Sequence, residues 1–287
     1  MKNALAKYFL GFFGAISALL AGLAGYQQLC LRAARKKKDE THVMETYHAK
    51  EGEIAYRSVG HGKPLVLVHS MMLGASGREW DAVIDALAED YHVYVPDLPG
   101  FGNSFCPEKP WTAYQYANLL HVFIEDVIGH PVCFCGANGG ADFGLLLSLL
   151  SPIAGTEHFL IGTGKWKIRA ALEQAIFAKE TVSAELVQQY ARAARFGTHA
   201  QATFACLKTR FWAADTKPAF EKLSVPFLMI WGEENRLNPT SAFDTAEKMK
   251  DFGSFALFEN TGALPHMENS KAFLENLNEF LNQSHIF

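Results

Sequence analysis

Short apolar segments alternate with longer amphipathic segments along most of the chain, and this alternation constrains the fold more than any other feature. Seven apolar segments predict β-strands, at residues 54–58, 65–69, 93–97, 132–136, 159–162, 227–232 and 255–259. Five amphipathic segments predict helices, at residues 79–88, 114–128, 141–149, 242–249 and 271–281. Strands that are apolar throughout and alternate with helices form parallel sheets covered on both faces. The sequence therefore predicts an α/β fold with a mostly parallel sheet.

The amino-terminal segment predicts a transmembrane helix. Residues 8–31 form a stretch of 24 positions without a charged side chain, which at 1.5 Å per residue is long enough to span a hydrocarbon layer of roughly 30 Å. A signal peptide cleaved after Ala24 is the alternative. The length of the apolar stretch and the five basic residues between Arg32 and Lys38 favour an uncleaved single-pass anchor. Because those charges resist translocation, we expect the large domain on the cytoplasmic side.

Small residues form a row within this predicted helix. Gly14, Ala18 and Gly22 recur every four residues, and such rows let a second helix approach closely. They indicate a membrane-protein partner, although glycine and alanine are common in membrane helices in any case. The basic flank is expected to contact anionic lipid headgroups.

Residues 165–217 interrupt the alternation of strands and helices. Their apolar positions have helical spacing and no strand pattern. We interpret this segment as a helical cap over the edge of the sheet where α/β proteins bind ligands. The predicted units are therefore the anchor with its basic flank (1–38), the first part of the core (39–164), the cap (165–217) and the second part of the core (218–287).

Charge and cysteine content exclude several classes of function. The formal net charge is −4, and residues 1–38 contain seven basic and no acidic residues, which leaves −11 on residues 39–287. An acidic domain argues against binding of nucleic acid. Five scattered cysteines do not form a disulfide scaffold, and Cys133 and Cys135 are interpreted as buried thiols on one strand. No phosphate-binding loop or metal-ligand spacing is present, so no cofactor is expected.

Five motifs, in chain order, together resemble the α/β-hydrolase family across residues 45–287. Residues 64–70 resemble the strand that leads into the His–Gly oxyanion loop, with Ser70 in place of glycine. Residues 97–104 match the turn D-x-P-G-x-G-x-S of the family. Three further segments stand where the family carries its nucleophile elbow, its acid and its base, at residues 132–140, 227–239 and 259–268. The resemblance implies a hydrolase core with a helical cap.

All three triad positions implied by the resemblance are substituted. Asn138 stands at the nucleophile position and has no ionisable hydroxyl or thiol. Asn235 stands at the acid position, where a neutral amide orients a histidine only weakly. Ala263 stands at the position of the catalytic histidine, while His266 aligns with a second, structural histidine. These substitutions predict a catalytically inactive hydrolase-fold protein that binds a ligand or acts as an accessory subunit.

The remaining site residues leave two further hypotheses open. The resemblance implies that the backbone N–H groups of Met71 and Gly139 form an oxyanion hole, and with the amide of Asn138 they predict a site for a small, mostly apolar, carbonyl-containing ligand. The alternative is an active hydrolase that acts on a carboxylic ester or related bond through a non-standard site. His266 is its candidate base, and the other candidate groups have no evident partner in the sequence: His69, Ser70, Ser76, Ser104 and Cys106.

Overall fold

The computed structural model describes residues 42–137, 165–195, 226–249 and 253–283, together with Ala21, Gly22 and Gly25, which are helical. Several predicted features lie outside these residues: most of the anchor at 8–31 with Gly14 and Ala18, the helix at 141–149, the strand at 159–162 and the second half of the cap. Within the described ranges, no helix is both long and apolar enough to cross a membrane.

Five strands form a mixed sheet in the first part of the chain. They are β1 (Glu45–Ala49), β2 (Gly52–Val59), β3 (Lys63–Val68), β4 (Tyr91–Pro96) and β5 (Cys133–Gly136), in the spatial order β1-β2-β4-β3-β5. The strand β3 is parallel to β4 and to β5, whereas β2 is antiparallel to β1 and β4. Two later strands, β6 (Leu228–Gly232) and β7 (Ser254–Phe258), form a parallel pair. The α/β prediction is confirmed.

The strand β3 shows why the apolar runs predict a sheet covered on both faces. Leu65, Val66 and Leu67 are all fully buried. Successive strand residues point to opposite faces, and Val66 packs in one hydrophobic cluster while its two neighbours pack in the other. Strand β1 was not predicted, because its sequence, ETYHA, is polar and its residues are exposed or half-buried.

The described helices cover the sheet and continue into the predicted cap. They are α1 (Ile84–Leu87), α2 (Ala113–Phe123, extended by a π-turn over Ile124–Ile128), α3 (Lys165–Ala175), α4 (Ala184–Arg195), α5 (Thr240–Met249), α6 (Pro265–Glu268) and α7 (Ser270–Gln283). The helix predicted at residues 79–88 is instead a 3₁₀ turn (Gly77–Trp80) followed by α1. Buried Arg57 donates hydrogen bonds to the Gly77 carbonyl and the Asp81 carboxylate. The N–H groups of Asp81 and Val83 donate three residues back, to the carbonyls of Arg78 and Trp80, and four-residue spacing begins only with the N–H of Leu87, which donates to Val83.

Candidate functional site

The candidate site lies where strands β3, β6 and β7 end. Parallel α/β sheets bind ligands beyond the carboxyl ends of their strands. Three loops meet there: residues 69–76 after β3, residues 233–238 after β6 and residues 259–264 after β7. Gly232 ends β6 against the third loop, because a Cβ atom built on it would lie 2.0 Å from the Gly262 carbonyl oxygen.

The turn that follows β4 holds the first loop in place. The buried carboxylate of Asp97 accepts hydrogen bonds from the N–H groups of Gly77 at 2.7 Å and Asn103 at 2.8 Å. The hydroxyl of Ser104 donates to the Asp97 carbonyl at 2.6 Å and accepts from the N–H of Ala55 at 2.9 Å. Gly102 has φ +48° and no room for a side chain beside Asp97. The geometry of this turn therefore requires aspartate at 97 and glycine at 102, and Ser104 is a structural residue here.

His69 fixes one peptide group of the first loop. Its Nε2 atom accepts a hydrogen bond from the Leu98 N–H at 3.0 Å, so its Nδ1 atom carries the proton and donates to the Ser70 carbonyl oxygen at 2.6 Å. That carbonyl belongs to the same planar peptide group as the Met71 N–H, which therefore points the opposite way. Among the described residues the Met71 N–H has no hydrogen-bond acceptor, and Met71 itself is buried.

Glu79 is a buried carboxylate behind this loop that the sequence analysis did not identify. It accepts hydrogen bonds from the Ser70 N–H and the Ser70 hydroxyl, both at 2.7 Å, and from the Tyr190 hydroxyl at 2.6 Å. Burial, with the charge and hydrogen bond of Glu79 next, raises the pKa of Tyr190 well above its usual value, which keeps this hydroxyl a neutral donor. Glu79 and Tyr190 are 111 positions apart, so no sequence spacing could have revealed the cluster.

The acid position is occupied by an amide that is engaged in its own loop. The Oδ1 atom of Asn235 accepts hydrogen bonds from the N–H groups of Leu237 at 3.0 Å and Asn238 at 3.1 Å. Its neighbour Glu234 is half-buried and accepts a hydrogen bond from the Thr261 N–H at 2.9 Å. This bond joins the second loop to the third.

The base position lies in a loop that is docked on the predicted cap. Ala263 is buried, and its N–H donates to the carbonyl of Ala175, the last residue of α3, at 2.6 Å. The Glu268 carboxylate accepts hydrogen bonds from the N–H groups of Gly262, Leu264 and Phe177 at 2.7–3.1 Å. Phe177 follows α3, so Glu268 joins the loop and the cap through one side chain.

His266 is packed as a core residue. It is 2% exposed and its ring is stacked on Trp80 with the ring centroids 4.2 Å apart. Burial lowers the pKa of His266 to about 3, so it is neutral at physiological pH. Its Nε2 atom is buried without a hydrogen-bond partner in the described part of the chain. The environment resembles that of a structural histidine more than that of a solvent-accessible base.

The structure brings several predicted positions together. Asn235, Ala263 and His266 line one cavity, whose wall also includes Gly136 and Ala137 at the end of β5. Asn138 and Gly139, which follow directly, lie outside the described residues. Ser76 and Cys106 are half-buried and are not part of this wall.

The described residues contain no group of three or more side chains able to hold a metal ion. Burial raises the pKa of Cys133 to about 11 and that of Cys135 to about 12. Neither thiol is poised to form the thiolate that metal binding requires.

Comparison with known proteins gives consistent matches. A profile described as the alpha/beta hydrolase family matches residues 65–276. The chain is 24% identical over 254 residues to a pimeloyl-[acyl-carrier protein] methyl ester esterase of Aeromonas hydrophila, covering 79% of the chain and 99% of the esterase. It is 31% identical over 117 residues to a 2-hydroxy-6-oxo-6-(2'-aminophenyl)hexa-2,4-dienoic acid hydrolase of Metapseudomonas resinovorans, but this match covers only 40% of each protein.

One solved structure matches the chain over nearly its whole length. It is a membrane phospholipase A described as a bacterial virulence factor, with a TM-score of 0.68 and 21% identity, covering 98% of both chains. At this level of identity the likeness shows the fold.

These relatives correct the prediction of catalytic inactivity. The relatives found by sequence are named for esterase and hydrolase activities, which point to a family of enzymes. The substitutions at Asn138, Asn235 and Ala263 establish which groups are missing from the usual positions. Another arrangement of groups can still catalyse hydrolysis, so the inference from missing groups to inactivity was wrong.

Proposed function

The chain belongs to the α/β hydrolase family, and on this premise we propose that it hydrolyses a carboxylic ester or a related bond through a site that lacks the usual Ser–Asp–His set. The observation that carries the proposal is the fixed peptide group between Ser70 and Met71. Its carbonyl is held by His69 at 2.6 Å, and its N–H has no acceptor among the described residues. A pre-oriented N–H group of this kind stabilises the oxyanion that forms during acyl transfer.

The proposed reaction depends mainly on binding and oxyanion stabilisation. The substrate carbonyl accepts a hydrogen bond from the Met71 N–H, and the resemblance assigns Gly139 as the second donor. Water adds to the carbonyl carbon, the C–O bond to the leaving group then breaks, and the proton that the water gives up passes to the departing alkoxide, so the products are the carboxylic acid and the alcohol. In enzymes whose triad has been removed, such sites retain a rate roughly 10³–10⁴-fold above that in water. We therefore expect slow turnover without a covalent acyl-enzyme.

The lining of the candidate cavity favours an apolar acyl group as the substrate. Beside Asn235, Ala263 and His266 its wall is mainly apolar and includes Phe227, Ile230 and Phe273. An acyl chain gains roughly 0.8 kcal/mol for each CH₂ group that it buries against such a surface. An acyl ester also agrees with the substrates named for the esterase and phospholipase relatives.

Hydrolysis of a panel of p-nitrophenyl esters of increasing acyl length tests the proposal. We expect measurable turnover that improves with acyl length, and faster turnover in the triple variant Asn138→Ser/Asn235→Asp/Ala263→His. If the triple variant is active while the natural chain gives only the rate of buffer, the proposal is wrong. A burst of nitrophenol equal to the enzyme concentration in the natural chain would contradict the absence of an acyl-enzyme.

We also propose that residues 8–31 anchor the protein in a membrane, with the enzyme domain on the cytoplasmic side. The uncharged stretch, its basic flank and the match to a membrane phospholipase A over 98% of both chains support this proposal. The full chain should remain with membranes after carbonate extraction, whereas a chain starting at residue 39 should be released. Equal release of both would contradict it.

The row Gly14, Ala18 and Gly22 is proposed as the contact surface for a partner helix in that membrane. Replacing all three residues with leucine should weaken the recovery of crosslinked partners from membranes without releasing the protein. Unchanged recovery would contradict the contact.

A further inference from the structure

Two parts of the candidate site that are remote in sequence converge on the carboxylate of Glu79. From the first loop, Ser70 donates through both its N–H and its hydroxyl. From the predicted cap, Tyr190 on α4 donates through its hydroxyl. Glu79 itself is only 2% exposed. A buried carboxylate is stable only when its lone pairs are satisfied, and three donors within 2.7 Å meet that requirement.

The first loop and helix α4 are also in direct backbone contact. Gly74 has φ +83°, and a Cβ atom built on it would lie 2.2 Å from the carbonyl oxygen of Tyr190. The Tyr190 side chain therefore leaves α4 at the point where the helix touches the loop. Its hydroxyl also lies 3.9 Å from the Met267 sulfur, which places the same ring beside α6.

The bonds to Ser70 determine the direction of the Met71 N–H. Glu79 holds the N–H and the hydroxyl of Ser70, which restricts the φ and χ1 angles of this residue, while His69 holds its carbonyl. The next peptide N–H, that of Met71, is then fixed in space because the peptide group is planar. Glycine at this position would keep the backbone bond to Glu79 but lose the hydroxyl bond.

We infer that Glu79 is a positioning residue that couples the docking of helix α4 to the orientation of the Met71 N–H. When α4 is docked, Tyr190 and Ser70 share one carboxylate and the loop has a single conformation. When α4 moves away, Glu79 loses one of its three donors and the loop loosens. The inference rests on the proposed function for its catalytic meaning, since Met71 is there the oxyanion donor, but the coupling itself is a property of the fold.

Hydrogen exchange measured by mass spectrometry on the full chain tests the coupling without a substrate. Glu79→Gln replaces an acceptor-only group with an amide that cannot accept all three bonds. We expect exchange to become at least about fivefold faster in residues 70–76 and in α4 together. Tyr190→Phe removes one hydroxyl and is the milder variant if Glu79→Gln does not fold, and it should also accelerate exchange in residues 70–76. Glu89→Gln, on an exposed residue next to α1, is the matched control.

Faster exchange confined to α4 in Tyr190→Phe, with residues 70–76 unchanged, would overturn the inference. Kinetics provide the second readout. With an ester that the natural chain hydrolyses, Glu79→Gln should lower kcat about tenfold or more while KM stays within about twofold, and Glu79→Asp should retain more of kcat because it keeps the carboxylate. A change in KM alone would contradict a role in orienting the oxyanion donor. If no ester is hydrolysed by any variant, the proposed function fails, and the exchange experiment still decides the coupling.

Discussion

The N–H of Ala263 donates a hydrogen bond of 2.6 Å to the carbonyl oxygen of Ala175, so the position that the family uses for its catalytic base is joined directly to the end of helix α3. The adjoining segment of the same loop is held by Glu268, which also binds the N–H that follows α3. Glu79 makes the equivalent connection between the first loop and α4. Two carboxylates thus join two loops of the site to two helices of the predicted cap.

Replacement of Glu268 by glutamine should destabilise the protein strongly. This carboxylate accepts hydrogen bonds from three backbone N–H groups at 2.7–3.1 Å, through both of its oxygens. Glutamine has only one acceptor oxygen, and its NH₂ group would face a backbone donor. We expect the free energy of unfolding, measured with urea, to fall by about 2–3 kcal/mol. The control is Glu275→Gln on α7, whose exposed side chain has an ion pair with Lys271 at 3.9 Å and should cost less than about 0.5 kcal/mol. If both variants lose the same free energy of unfolding, the three hydrogen bonds of Glu268 do not stabilise the fold more than an exposed ion pair does.

Replacement of Met71 by proline tests the oxyanion donor. Proline has no backbone N–H, so kcat for an ester that the natural chain hydrolyses should fall by about 10²-fold. Met71→Ala keeps the N–H and removes only the side chain, so it should affect KM more than kcat. Circular dichroism of both variants confirms that they fold. Similar kcat values for the two variants would exclude the Met71 N–H from the reaction.

Stability should decrease as pH falls, because His266 is neutral in the folded protein. Burial lowers the pKa of His266 from 6.5 to about 3. Between these values the unfolded chain binds a proton that the folded chain does not, so the free energy of unfolding decreases as pH falls through this window. The contribution of His266 between pH 7 and pH 5 is about 2 kcal/mol.

The variant His266→Phe isolates this contribution, since it keeps an aromatic ring on Trp80 and removes the titrating group. The stability of this variant, measured by urea unfolding at several pH values, should decline less between pH 7 and pH 5. His130→Gln, at an exposed position, should decline as the natural chain does. A parallel decline in His266→Phe would mean that the imidazole is solvated and titrates normally.

The strands of the core could be predicted from the sequence because each is a run of consecutive apolar residues that are buried in the fold. In β3, Val66 faces one side of the sheet and Leu65 and Leu67 face the other, and all three are apolar. Such a run can be recognised without knowing the rest of the fold. Asn235 and Ala263, which the motifs single out, both line the same cavity. Strand β1 was missed because an edge strand can be polar.

The contacts that organise the site could not be predicted in the same way. Glu79 belongs to a segment that reads as an ordinary amphipathic helix, and its partner Tyr190 lies in the predicted cap. Only the folded chain brings them within 2.6 Å. The prediction of inactivity rested on three positions known from the family, and the activities named for the relatives overturned it.

Replacement of Gly232 by alanine should be among the most destabilising single-methyl changes in the second part of the core. A Cβ atom at this position would lie 2.0 Å from the Gly262 carbonyl oxygen and 2.2 Å from that of Thr261. Both are backbone atoms, so relief requires the second and third loops of the site to separate. We expect a loss of about 3 kcal/mol or more in the free energy of unfolding, measured with urea.

Gly129→Ala is the matched control for this prediction. Gly129 has φ +70°, but a Cβ atom there would have its nearest neighbour at 3.8 Å. It should therefore cost only the conformational penalty of about 1 kcal/mol. The difference between the two variants measures the steric contact that holds β6 against the loop of Ala263. If Gly232→Ala is no worse than Gly129→Ala, the loops at the ends of β6 and β7 are not in the close contact described above.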